Sequence, residues 1–66
     1  ENESLNMLYD AIRKLSEIDR AIILLYLEEK PYDVIADVVG TSSNNIAVRI
    51  TRIKVKLKEL LDGKIN

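Results

Sequence analysis

Residues 32–54 read YDVIADVVGTSSNNIAVRITRIK, and this stretch decides the fold. Ile35, Val38 and Val39 give a short helix over residues 32–39 an apolar face. Pro31 is tolerated at its first turn, where no helical donor is needed. Gly40 closes it at a position suited to left-handed backbone. Ser42 then reads as an N-cap, with Ser43, Asn44 and Asn45 filling the next first turn. From Ile46 the apolar residues fall at Ile50, Ile53, Leu57, Leu60 and Leu61, one stripe on a helix over residues 43–62. Gly40-Thr41-Ser42 is the short link of a helix-turn-helix. Ala36 allows the two helices to approach, Gly40 makes the turn and Ile46 inserts into their shared core. An ordinary helical hairpin has the same look, so the spacing alone leaves both readings open.

Working back towards the N-terminus, Ser16 reads as a second N-cap, with Asp19 at the third helical position of a capping-box-like arrangement. The helix it starts, over residues 17–29, carries the run Ala21 to Leu27, apolar nearly all round. That pattern predicts a central helix around which the others pack. Glu28, Glu29 and Lys30 leave it, and Pro31 ends it. Before it, Leu5, Leu8, Tyr9, Ile12 and Leu15 keep helical spacing over residues 4–15, with Arg13 and Lys14 near the C-terminal end of the dipole. Gly63 is expected to end the last helix, and residues 64–66 to fray. The expected fold is all-α: four helices, the last two a helix-turn-helix, with Ile22, Leu25, Ile35, Ile46, Ile50 and Ile53 in the core.

The chain has 66 residues, enough for one small domain and no more. Repeats, linkers and a second domain are not visible, and the start at Glu1 predicts a piece excised from something longer. With neither Cys nor His, disulfides, thiolate chemistry and the usual proton shuttle are excluded. The acidic pairs Glu28–Glu29 and Asp33–Asp37 have no Gly-rich phosphate loop beside them, so no catalysis, cofactor, metal or small-molecule substrate is expected. The apolar run from Ala21 to Leu27 is far short of a membrane span. Net charge is −1, but its distribution is uneven. Residues 1–40 hold nine acids and four bases; residues 41–66 hold six bases and two acids. The basic end suits a polyanion, and the acidic end faces away from it or meets a basic partner.

The string from Leu15 to Leu61 resembles region 4 of bacterial RNA polymerase sigma factors, most closely the extracytoplasmic-function group. It carries Leu15-Ser16-Glu17, then Arg20 before Ala21-Ile22-Ile23-Leu24, then Tyr32-Asp33-Val34-Ile35-Ala36. Gly40-Thr41-Ser42, Ile46, Arg49-Ile50-Thr51-Arg52-Ile53-Lys54, Leu57 and Leu60-Leu61 follow in the family's order. The resemblance covers roughly residues 5–61 and rests on the order and spacing of all these pieces together. Ser16 stands for a frequent Pro, Pro31 for a frequent Ser and Val34 for a common Glu; Ala47 and Val48 stand where relatives often carry polar or basic residues. The resemblance implies a cytoplasmic, nucleoid-associated bacterial domain. Its partners would be double-stranded promoter DNA at the minus-thirty-five element and the flap region of the RNA polymerase core, with an anti-sigma factor as a further candidate.

Under that reading Arg49 and Arg52, three residues apart, share a helix face and suit phosphates or guanine edges. Ser43, Asn44 and Asn45 open the helix that enters the major groove, where Asn pairs with adenine; capping explains them equally well. Ala47 and Val48 suit a thymine methyl, and Thr51 a base or phosphate. Lys54, with Lys56 and Lys58, supplies positive field. The Tyr32 hydroxyl suits a phosphate, or its ring packs at the core edge. Two rivals stand beside this reading. One is a helical protein-interaction module that docks on polymerase or an anti-sigma factor. The other is a LuxR-type response-regulator output domain, which has a similar helix-turn-helix.

Overall fold

In the computed structural model, which describes residues 3–63, each helix boundary is set by local chemistry. The helices are α1 (Glu3–Arg13), α2 (Glu17–Leu27), α3 (Tyr32–Val39) and α4 (Ser43–Leu61). Ser16 Oγ accepts from the Asp19 amide at 3.2 Å and Ser42 Oγ from the Asn45 amide at 3.1 Å, so both serines are N-caps. Pro31, extended at φ −63°, leads into α3 without a side-chain cap bond. Gly40 ends α3 at φ 88°, and the Gly40 and Thr41 amides both donate to the Ala36 carbonyl, at 2.8 and 2.9 Å. A Cβ at Gly40 would meet nothing within 4 Å, so the backbone conformation rather than crowding calls for glycine. Glu29 takes φ 63° in the turn after α2, a conformation that costs a non-glycine residue on the order of 1 kcal/mol.

Both α2 and α4 pack against all three other helices, so α2 is central as its apolar run predicts, but the longer α4 shares that place and buries more of the core. The α4 stripe behaves as its spacing requires: Ile46, Ile50, Ile53 and Leu57 are buried. Leu60 is half-buried and Leu61 exposed, so the stripe closes one turn before the helix does. α2 buries only Ile22 and Ile23; Ile18, Leu24 and Leu27 are exposed. With only three neighbours to cover it, α2 buries one face and leaves the other in solvent.

Similar corrections apply at α1 and α3. Ile35 and Ala36 are buried and Val39 half-buried, but Val38 is 66% exposed. The small Ala36 is buried beside Ile35 and faces the core. In α1 the buried pair is Ala11 and Ile12; Leu5 and Tyr9, expected on the inner face, are exposed. Leu15 is buried, yet it lies beyond the helix, which ends at Arg13. α1 packs only on α2 and α4, so one narrow face suffices. Of the expected core, Ile22, Ile35, Ile46, Ile50 and Ile53 are buried and Leu25 is half-buried against them. The expected fraying of residues 64–66 lies outside the described residues.

Candidate nucleic-acid interface

At 3.6 residues per turn, the side of α4 opposite its apolar stripe carries Asn44, Val48, Thr51, Arg52 and Val55. All five are exposed, and Ser43 beside them is exposed too. This strip begins at the helix N-terminus, immediately after the Gly40–Ser42 turn, and holds both hydrogen-bonding and cationic groups. It runs along the helix that carries Arg49, Arg52, Lys54, Lys56 and Lys58.

The candidate residues on it differ in how far they are already engaged. The Asn44 side chain makes no hydrogen bond to another described residue. Asn45 Nδ2 donates to Thr41 Oγ1 at 2.8 Å while its amide satisfies the Ser42 cap, so Asn45 serves the turn at both ends. The Thr51 hydroxyl donates back to the Ala47 carbonyl at 3.1 Å, the local bond available to a mid-helix threonine. Ala47 is half-buried, whereas Val48 is exposed. Arg52 is exposed and has no carboxylate partner among the described residues.

Arg49 follows another course. Its Nη1 donates to Asp19 Oδ1 at 2.8 Å, and the two side chains are 38% and 26% exposed. The Asp19 amide makes the capping bond expected of it, but its carboxylate turns to α4 rather than back to Ser16. The sequence signal for this pair was faint: an acid in the first turn of α2 and an arginine thirty positions later. The two arginines of the fourth helix are therefore in unlike surroundings, one held by a carboxylate and one open to solvent.

Lys54 lies on the opposite flank of the apolar stripe from Arg49. Its Nζ sits 4.7 Å from the centroid of the Tyr26 ring, at the far end of α2. Tyr26 in turn meets the Tyr32 ring, centroids 6.3 Å apart and planes at 49°. A side-chain hydrogen bond with Tyr26, and next the charge of Tyr26, hold the Lys54 ammonium above its ordinary value of 10.5; slight desolvation opposes them. Tyr26 is a participant that reading the chain missed. It stands inside the apolar run of α2, where a tyrosine looks like one more core residue.

The geometry is thus a helix-turn-helix whose second helix has an open strip carrying Asn44, Thr51 and Arg52, with Arg49 and Lys54 on its flanks. A family model, sigma-70 region 4, matches residues 5–57. The chain belongs to the sigma-70 region 4 family. It has no match among curated proteins and none among solved structures. Sigma-70 region 4 is the non-enzymatic module with which sigma factors bind the minus-thirty-five promoter element, and promoter DNA and RNA polymerase are its partners. The helix-turn-helix of region 4 is accordingly the α3–α4 pair. Among the described residues no helix is long and apolar enough to cross a membrane.

Proposed function

We propose that this region 4 domain grips promoter DNA with the exposed strip of α4 in the major groove and α3 across the backbone. Asn44, Val48 and Arg52 are the outward residues nearest the groove, with Ser43, Ala47 and Thr51 beside them. Asn44 suits a base edge, Val48 and Ala47 a thymine methyl. Arg52 lies about 12 Å along the axis from Asn44, the width of a major groove, and so suits the phosphate wall. Tyr32 and Lys54 suit phosphates as well. Asn45 acts chiefly as a cap and Arg49 contributes less than Arg52, because each is already paired. The observation that carries this reading is the strip itself: one face of α4 is exposed and sets Asn44, Thr51 and Arg52 among the apolar Val48 and Val55, while Ile46, Ile50, Ile53 and Leu57 opposite are buried.

The finer assignments belong to the same proposal. The domain is part of a longer, cytoplasmic, nucleoid-associated sigma factor of the extracytoplasmic-function group. It docks on the polymerase flap, and an anti-sigma factor competes for its surface. An apolar cleft of about 180 Å³ between the start of α2 and the end of α3, lined by Ile18, Ala21, Val38 and Val39, supports a protein-docking role.

The test is binding of the domain to duplex DNA across a range of salt, followed by selection of preferred sequences. Binding falls steeply with salt, and Arg52→Ala lowers the slope by about one while leaving sequence preference alone. Salt-independent binding, or none at low salt, would leave only the protein-docking reading.

A further inference from the structure

Three elements of this fold meet at one aromatic ring. Tyr26 closes α2, Tyr32 opens α3 and Lys54 sits midway along α4; the ring of Tyr26 touches both others. Tyr32 and Lys54 are exposed and Tyr26 is half-buried, so the ring acts as a floor beneath two solvent-facing groups. We propose that Tyr26 is a positioning residue, holding the Lys54 ammonium and the Tyr32 hydroxyl together as one contact for the phosphate backbone of duplex DNA. This rests on the interface proposed above and adds to it a residue that itself touches no DNA.

Distance along α4 supports the assignment. Lys54 is ten residues beyond Asn44, roughly 15 Å along the helix axis. A major groove is about 12 Å wide. With Asn44 at the base edges, Lys54 has passed the groove and stands at its phosphate wall. Electrostatics agree. No carboxylate pairs with Lys54 among the described residues, and an aromatic face attracts a cation without neutralising it. Mechanically, a free lysine has four rotatable carbons and loses that freedom on binding. A lysine already resting on a ring has lost part of it beforehand, which is how preorganisation strengthens a contact.

The experiment is a double-mutant cycle read by fluorescence anisotropy on a short duplex of arbitrary sequence, since phosphate contacts are sequence-independent. Lys54→Ala lowers the salt slope by about one. Tyr26→Leu, with Lys54 intact, lowers it by a similar amount, and adding Lys54→Ala to Tyr26→Leu lowers it no further. Tyr26→Phe keeps the ring and keeps the slope. If the losses from Tyr26→Leu and Lys54→Ala instead add in full, Tyr26 positions nothing. If Lys54→Ala changes nothing, the proposed interface is itself wrong at this point, a separate failure. Should Tyr26→Leu unfold the domain, the unsubstituted protein supplies the readout. The Lys54 ε-methylene protons are shifted upfield by the Tyr26 ring current in NMR spectra, and the shift persists on adding duplex. Absence of that shift overturns the proposal.

Discussion

The two ends of α2 reach the two flanks of α4 with opposite chemistry. At its first turn, Asp19 meets Arg49 with a carboxylate; at its last, Tyr26 meets Lys54 with a ring. A carboxylate cancels the field of the cation it holds, so Arg49 braces the domain but offers DNA little net charge. A ring supports its cation and leaves the charge standing. One crossing helix thus makes one of α4's flanking cations structural and leaves the other available. Position on the helix does not decide which cations face a polyanion; the partner behind each one does.

The largest effect is on the geometry that creates this contrast. Ile50 is buried in the middle of the stripe, and its phase places Arg49 and Lys54 on opposite flanks. Ile50→Ala removes buried volume and costs about 2–5 kcal/mol, enough to unfold much of a domain this small. Chemical denaturation measures it. A loss below about 1 kcal/mol would mean that α4 turns a different face inward, and both pairings would then lose their basis.

The second effect separates two neighbours in the first turn. Asn44→Ala changes preference among duplex sequences by about 1–3 kcal/mol at one base position and leaves stability almost unaltered. Asn45→Ala breaks the bond to Thr41 and lowers stability by on the order of 0.5–1.5 kcal/mol, with sequence preference retained. Binding selections and thermal melts of both variants decide it. Like the Arg49–Lys54 contrast, the distinction is one of prior engagement: a side chain already satisfied within the fold has less to give DNA.

What the chain reveals in advance follows the same line. The α4 stripe was legible because four buried positions at steps of four, three and four admit one helical phase only. Ser16, Ser42 and Gly40 were legible because caps and left-handed turns are local chemistry. Val38 and Leu24 were misread as interior because apolar character alone does not say whether a neighbour exists to cover it. The candidate DNA residues were legible as types at the start of a second helix. Their engagement was not, since Asp19–Arg49 spans thirty residues and Tyr26–Lys54 nearly as many. Such pairings depend on how α2 crosses α4, which no local spacing encodes.

The smallest effect tests the contrast most directly. Asp19→Asn keeps the backbone amide that Ser16 caps, and removes only the charge facing Arg49. Both partners are about a quarter or more exposed, so solvent screens the pair and its loss lowers stability by no more than about 1 kcal/mol. For a domain of this size that is a fall in Tm of at most about 4–8 °C. DNA binding moves the other way. With the carboxylate gone, Arg49 is free to meet a phosphate, and the salt dependence steepens by up to about 0.9. In the unsubstituted domain Arg49→Ala then weakens binding less than Arg52→Ala does; in the Asp19→Asn background the two losses converge. If Asp19→Asn weakens binding instead, the carboxylate aims Arg49 at DNA rather than withholding it. The two ends of α2 would then differ in chemistry but share one purpose.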